Sequence, residues 1–421
     1  MTLQERDKKH IWHPLKQHQT HPNSLGIVKA KGCILTDENG KEYIDAISSW
    51  YTCMFGHCND YINNRVYEQM QQLDQIMFSD FTHPAAVELS EKLISILPEN
   101  QAKIFFNDNG STAVESAIKM ALQYYFNLED QRTTFIAFEN GFHGDTFGAM
   151  SASGLSVYNG PFEDFLINIH RIPVPDGSNQ KEILQKLSDI TSRHKVAAFV
   201  YEPIVQGAAG MKIHDIDGLN EIIAFCKSKN VLTIADEVMT GFGKTGKNFA
   251  SEHMTNKPDI ICLSKALTGG LVPMAITSCT QEIYDAFLSN DISKGYFHCH
   301  TYSANPIGCA AAIASIDLLT SPEIHSNIQR ISQKHKAFGA TITNHPKVKS
   351  TRSIGVIFAL DLDTNMERYG TLRDLLLSSF MKEGIFLRPL GNTIYIQTPY
   401  VISDEQLEKI YNTIVKVLDT L

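Results

Sequence analysis

Six short apolar runs recur between residues 61 and 310, and a stretch with helical spacing separates each from the next. They lie at 103–106, 134–138, 197–202, 231–236, 260–264 and 274–279. Strands buried on both faces are continuously apolar, as most of these are, and parallel neighbours need a crossover helix between them. The alternation therefore dictates an α/β domain with a mainly parallel sheet. The flanks follow other patterns. Residues 1–60 read as a short helix, then strands with turns at Glu38-Asn39-Gly40 and Gly56. Beyond about 320 a helix leads to a strand at 356–360, then two strands at 385–388 and 393–397 joined around Gly391-Asn392. The last element, 404–421, places Leu407, Ile410, Tyr411, Ile414, Val415 and Leu418 at helical spacing and packs one face. The expected organisation is a large domain over 61–310 and a smaller α+β domain, with 1–60 as its N-terminal segment and 311–421 as its C-terminal part.

A chain of 421 residues is too long for one small core, and 43% apolar content suffices to fill two or three units. Thirty-seven basic against 46 acidic residues give a net charge of −9, which argues against nucleic acid or an anionic membrane as a partner. The N-terminus lacks the apolar core of a signal peptide, and no apolar stretch approaches the roughly 20 residues of a membrane helix. The eight cysteines are scattered without a C-x-x-C, and the sixteen histidines show no ligand spacing. A reduced, cytoplasmic protein without a metal site is expected.

Chemistry concentrates where the apolar runs end. Lys265 follows the run at 260–264, and Asp236 closes the run at 231–236. Pyridoxal phosphate needs such a pair: a lysine to hold its aldehyde as a Schiff base and a carboxylate to keep its ring nitrogen protonated. Between the run at 103–106 and a helical stretch stands Asn107-Asp-Asn-Gly110-Ser111-Thr112. Gly110 permits close backbone approach, and the N–H groups of Ser111 and Thr112 at a helix start would face a phosphate. Alone, the segment reads sooner as an ordinary N-cap with Glu115 nearby, and no G-x-G-x-x-G accompanies it. Asn140-Gly-Phe142-His143-Gly-Asp145 offers a ring, Phe142, to stack on the pyridine, or else a core phenylalanine. Val238, two residues past Asp236, would cover the opposite ring face if the strand continued. Phe297-His-Cys-His300-Thr301-Tyr302 is a second phosphate candidate or a polar loop capping a helix.

The order N-G-S, G-F-H-G-D-T, E-P-I-V-Q-G, D-E-V-x-T-G-F-G-x-T-G, S-K-A-L-T-G-G and H-T-Y-x-x-N-P resembles the class III, or ω-type, aminotransferases of pyridoxal phosphate fold type I, from about residue 10 to 418. His10-Ile-Trp12-His-Pro14, Asp45-Ala-Ile-Ser-Ser-Trp50-Tyr51, Met120-Ala-Leu-Gln-Tyr124, Arg388-Pro-Leu-Gly391 and Met239 are similar to the branch serving biotin biosynthesis, which converts 8-amino-7-oxononanoate to 7,8-diaminononanoate.

The resemblance implies Lys265 as Schiff-base lysine and proton shuttle, with Asp236 on the ring nitrogen. It implies Gly110 and Ser111 on the phosphate, His300 and Thr301 reaching the partner subunit's phosphate in a homodimer, and a substrate pocket lined by Trp50, Phe142, Cys299 and Arg388. Arg388 would pair with the oxo-acid carboxylate; the segment alone equally allows a surface salt bridge. Three positions depart from the family: Leu15 where an aromatic is usual, Phe142 where tyrosine is common, and Lys244 where arginine stands. Cys299 replaces a usual glycine and narrows the pocket. A sulfonium donor prefers aromatic faces, so S-adenosylmethionine and lysine both stand as donors. The alternative within the family is transamination of ornithine, acetylornithine, 4-aminobutyrate or β-alanine, against which Trp12, Trp50 and Arg388 argue.

Overall fold

The computed structural model describes residues 1–154, 159–364 and 370–421. Its centre is a seven-stranded sheet in the spatial order Gln101–Asn107, Ala275–Thr280, Ile260–Leu263, Leu232–Asp236, Val196–Tyr201, Thr134–Phe138, Ile169–Ile172. All neighbours are parallel except Ala275–Thr280, which runs antiparallel to both of its partners. The strands at 134–138 and 196–201 are buried at every position, as a sheet covered on both faces requires. Among the helices packed on the sheet, Gly110–Asn127 buries Ala113, Val114, Ala117, Ile118 and Ala121 against strands at 232–236, 260–263 and 275–280.

All six expected strands form, with ends shifted by no more than two residues. The sequence reading missed the edge strand Ile169–Ile172, whose centre is His170-Arg171. It also missed Val348–Ile354, whose interior Lys349-Ser350-Thr351-Arg352-Ser353 carries no apolar run. The two C-terminal strands are not partners of each other. Ile385–Phe386 joins the N-terminal sheet, parallel to Glu42–Asp45. Thr393–Ile396 pairs instead with Ile357–Leu362 in a three-stranded antiparallel sheet. The two chain ends thus share the sheet Ile27–Lys31, Ile34–Asp37, Glu42–Asp45, Ile385–Phe386. This shared sheet supports the division into 1–60 plus 311–421 and 61–310, which we propose as the domain organisation.

One glycine decides how the three-stranded sheet docks. Gly355, at φ 54°, turns the hairpin Val348–Ile354/Ile357–Leu362, and a Cβ there would lie 2.3 Å from the backbone nitrogen of Gly246. Only hydrogen fits, and the hairpin tip locks in as the Val356 N–H donates to the Lys244 carbonyl at 3.0 Å. Arg352 adds a second tie, pairing with Asp361 at 2.7 Å and donating to the Met211 carbonyl at 2.9 Å. Among the described residues no single helix is long and apolar enough to cross a membrane.

His335 sits wholly inside the C-terminal part, its Nδ1 2.8 Å from the Tyr411 hydroxyl and its Nε2 3.2 Å from the Val356 carbonyl. Burial pushes its imidazole from the ordinary 6.5 down to about 4, against the pull of the Val356 carbonyl. The unfolded chain therefore binds the extra proton between those values, so stability rises with pH across the window and is lost as pH falls through it. Urea unfolding at pH 6.5 and pH 4 should show wild type losing on the order of 2–3 kcal/mol more than His335→Gln over that interval. Equal losses would show that His335 does not carry the acid sensitivity.

Candidate active site

Five strands deliver their carboxyl ends to one edge of the central sheet, where ligands of open α/β sheets bind. Gln101–Asn107 leads into Gly110 and Ser111, and Thr134–Phe138 leads into Gly141-Phe142-His143. Val196–Tyr201 runs into Glu202, Leu232–Asp236 ends on Asp236, and Ile260–Leu263 runs into Lys265.

Asp236 is buried, and both its oxygens are engaged: Oδ1 accepts the Val238 N–H at 3.0 Å, and Oδ2 lies 2.8 Å from His143 Nδ1. Burial works against a charged His143, but the hydrogen bond and charge of Asp236, with Glu202 nearby, raise its pKa above the ordinary value. Glu202 accepts the N–H groups of Phe142 at 3.0 Å and Gly207 at 2.9 Å. Burial pushes its carboxyl up to about 7, while His143 holds it down and Asp236 adds to the rise. Burial also lowers the pKa of Lys265, against the carboxylates of Asp236 and Glu202. The lysine itself is held left-handed at φ 49°, a conformation that costs a non-glycine residue energy and clusters at functional sites.

The helix Gly110–Asn127 opens beneath this group. Its N-cap Asn109 accepts the Thr112 N–H at 3.1 Å, so Thr112 does not offer that group to an anion as the sequence suggested. The first turn leaves the N–H groups of Gly110 and Ser111 without intrahelical partners. Two glycines let neighbouring loops close on that turn. A Cβ at Gly110 would stand 2.7 Å from Val238 Cγ1, and one at Gly144 (φ 131°) 2.2 Å from Ser111 Oγ. Asp145 N–H then donates to Ser111 Oγ at 3.2 Å. Val238 reaches this place from a turn, because the strand ends at Asp236 and does not carry it there by alternation. Phe142 is 44% exposed, which removes the core-phenylalanine alternative and leaves its ring open to a ligand. An anion-binding turn, an open aromatic face, a buried carboxyl and an enclosed lysine together fit pyridoxal phosphate.

The second half of the site comes from the N-terminal segment. Ser48, Ser49, Trp50 and Tyr51 are all left-handed, at φ 49°, 45°, 67° and 70°. With no glycine among them, such a turn costs roughly 1–2 kcal/mol per residue and must be held from outside. Asp45, fully buried, does the holding: its carboxylate accepts the Ser49 N–H at 2.7 Å, the Ser49 hydroxyl at 3.0 Å and the Ile47 N–H at 3.2 Å. His57 Nε2 lies 2.8 Å from the same carboxylate. Burial opposes charge on His57, but hydrogen bonds with Asp45 and Cys53 push its pKa up to about 10. Ser48 Oγ donates to the Gln397 carbonyl at 2.7 Å. So held, the turn sends its two aromatic rings to two different basic side chains. Lys265 Nζ lies 5.8 Å from the Tyr51 ring centre, and the Arg388 guanidinium 5.2 Å from that of Trp50. Tyr395 packs on Tyr51 at 5.8 Å.

Gly110, Ser111, Phe142, Asp236, Val238 and Lys265 therefore share one edge, and Trp50 with Arg388 adjoins it through Tyr51. Cys299, His300 and Thr301 sit on a separate loop. His300 Nδ1 accepts the Tyr302 N–H at 3.2 Å, and the Thr301 carbonyl accepts from Gln75 at 2.7 Å. Lys244 is wholly buried, donating to the Gly241 carbonyl at 3.1 Å, and so does not face a substrate directly. Leu15 is 55% exposed in a turn at φ 52°. Sequence reasoning missed the roles of His143, Glu202, Tyr51, Asp45 and His57. All but His57 stood within quoted motifs, and a buried-run end followed by Glu-Pro was signal enough for Glu202.

Residues 15–418 match the family model of class-III aminotransferases. An adenosylmethionine-8-amino-7-oxononanoate aminotransferase of Synechococcus elongatus is 40% identical, covering 98% of this chain and 99% of that protein. One from Helicobacter pylori is 33% identical over 99% and 97%. The crystal structure of the same-named enzyme from Methanocaldococcus jannaschii superposes with a TM-score of 0.94 at 30% identity, covering 99% of this chain and 98% of that one. A PLP-bound amine transaminase from an uncultivated Pseudomonas species gives 0.92 at 26% identity over 97% and 98%. On this agreement of sequence and fold, the chain belongs to the class-III aminotransferase family.

Proposed function

We propose that this chain uses pyridoxal phosphate to move an amino group from S-adenosylmethionine to 8-amino-7-oxononanoate, giving 7,8-diaminononanoate for biotin synthesis. The observation that carries this reading is the pairing of two sites by one dipeptide. Tyr51 stands at Lys265, where amine chemistry occurs, and Trp50 stands at Arg388, a cation suited to a distant carboxylate. An oxo-acid with its reacting carbon and its carboxylate at opposite ends of an alkyl chain would engage both sites. The names of the relatives point to the same acceptor and donor.

When bound, the cofactor's protonated pyridine ring supplies an electron sink for the bond next to the substrate nitrogen. Asp236, fixed by His143 and the Val238 N–H, would pair with that ring nitrogen. Gly110 and Ser111 would hold the phosphate, with Phe142 and Val238 on the two ring faces. Lys265 would hold the aldehyde carbon and, once released, act as base. A base must be neutral, and the burial that lowers its pKa favours that form. Lys265 Nζ would then take the proton from the substrate carbon beside the amine and hold it for return. In the second half of a ping-pong cycle the same nitrogen would serve in the reverse sense. Trp50, Phe142, Cys299 and Arg388 would line the acceptor's pocket.

His300 and Thr301 would complete the phosphate site of a partner subunit, making the working form a homodimer. Phe297 and Tyr302, 73% and 63% exposed beside them, support that arrangement. The eight cysteines are all free thiols, which supports a reducing, cytoplasmic setting.

Purified protein loaded with the cofactor should lose its visible absorbance band on addition of S-adenosylmethionine. Bleaching by lysine alone would reassign the donor, and bleaching only by ornithine or 4-aminobutyrate would move the chain to another branch of the family. Lys265→Ala should bind the cofactor without turning over, at least about 10⁴-fold below wild type; normal turnover would overturn the assignment of Lys265. Arg388→Ala should raise the KM for the oxo-acid by about 10–100-fold with little change in bleaching by the donor. An equal loss with both substrates would place Arg388 outside the carboxylate site.

A further inference from the structure

The aromatic wall between Lys265 and Arg388 has no intrinsic reason to hold its shape. Trp50 and Tyr51 occupy a left-handed turn of four residues, none of them glycine, and Trp50 is 45% exposed. What fixes the turn lies behind it, out of reach of any substrate. Asp45 is wholly buried and His57 nearly so, 12% exposed, with 2.8 Å between Nε2 and Oδ2. All the acceptors of the Asp45 carboxylate point to this one task. Oδ2 takes His57 and both the N–H and the hydroxyl of Ser49, and Oδ1 takes the N–H of Ile47. From just past the strand Thr393–Ile396, the Gln397 carbonyl takes the Ser48 hydroxyl at 2.7 Å, and the Ala46 carbonyl takes the Gln397 N–H at 2.9 Å. His57 is itself fixed by a backbone bridge to Gly32, with N···O distances of 2.8 and 3.0 Å.

We propose that the Asp45–His57 pair is a positioning device for substrate selection: it locks the left-handed turn so that Trp50 faces Arg388 and Tyr51 faces Lys265, and so sets affinity for the oxo-acid. The inference rests on the acceptor reading above. Neither residue touches cofactor or substrate, so removing the pair affects the shape of the pocket and leaves the chemistry at Lys265 in place. Asp45→Asn removes the charge and turns an amide N–H₂ toward groups that are themselves donors, so the turn opens. Ser49→Gly keeps the N–H donor and suits the positive φ, so the turn survives.

The chain has two tryptophans, so Trp12→Phe leaves Trp50 as the sole indole emitter. In that background, emission of the cofactor-loaded protein reports the turn directly, apart from activity. Asp45→Asn should shift Trp50 emission to the red and raise the oxo-acid KM about tenfold or more, with kcat and the visible cofactor band changed far less. Ser49→Gly should keep emission and KM within about twofold of its parent. His57→Gln, which retains a donor toward Asp45, should move both readouts in the same direction by less, and it carries the test if Asp45→Asn does not fold. A folded Asp45→Asn with unmoved emission and KM would overturn the proposal, as would equal losses in kcat and in KM for both substrates. Absence of a cofactor band, or of turnover with this oxo-acid, in the parent protein would instead sink the reading of the acceptor.

Discussion

Strand direction is the constraint on which everything else in this molecule hangs. Functional groups carried at strand ends can meet only if those ends lie on the same edge, and parallel pairing enforces that. The one reversed strand, Ala275–Thr280, preserves the rule. By running antiparallel to both Ile260–Leu263 and Gln101–Asn107 it leaves those two pointing the same way. Gly110, Phe142, Glu202, Asp236 and Lys265, spread over about 150 positions of sequence, therefore reach one edge without any long excursion of the chain. Short loops then suffice, and short loops are stiff enough to hold a lysine and a carboxyl in register.

The other wall is built by different means. It comes from a small sheet shared by the two chain ends, from the Ser48–Tyr51 turn and from Arg388 just after the strand Ile385–Phe386. Because Ile385–Phe386 pairs with Glu42–Asp45, the backbone that carries Arg388 is registered against the backbone that carries Trp50. The 5.2 Å contact between those side chains follows from a strand pairing and is not left to the rotamers of two long side chains alone. The Gly355–Gly246 approach and the Arg352 donation to the Met211 carbonyl then fix the adjoining three-stranded sheet to the large body.

How much of this the sequence disclosed depends on which physical signal each part leaves. Strands buried on both faces announce themselves as apolar runs, and all six expected ones are present. Ile169–Ile172 and Val348–Ile354 escaped because the residues between their ends are polar, so they carry no such run. Pairing partners left no trace: Ile385–Phe386 and Thr393–Ile396 look like a hairpin in sequence and belong to separate sheets, since nothing local encodes a partner 340 residues away. Lys265, Asp236, Gly110 and Ser111 were legible because residue type and position after a run coincide. The Asp45–His57 clamp was not. A left-handed turn usually betrays itself by glycine, and Ser48-Ser49-Trp50-Tyr51 has none. Thr112 misled because its N–H looks free in sequence, and only the geometry shows Asn109 capping it.

The departure at Lys244 shows how electrostatics and sequence change can be reconciled within one site. The family pattern this chain resembles has arginine there, and an arginine stays charged wherever it is put. In this chain the side chain is wholly buried, with the Gly241 carbonyl as its hydrogen-bond acceptor at 3.1 Å. Burial, and then the nearby Lys265, drive its pKa well below the ordinary lysine value, with only Glu237 opposing. A lysine can answer burial by holding its proton less tightly, and it brings fewer donors to satisfy. The five donors of a guanidinium would need several acceptors. The exchange also bears on Lys265, whose lowered pKa has burial as its leading cause and the carboxylates of Asp236 and Glu202 as its opponents. A permanent cation at position 244 would add to the depression, whereas with Lys244 in place burial leads it. The reactivity of Lys265 in this chain is therefore set mainly by how tightly Tyr51 and the strand ends enclose it, which is a matter of packing more than of neighbouring positive charge.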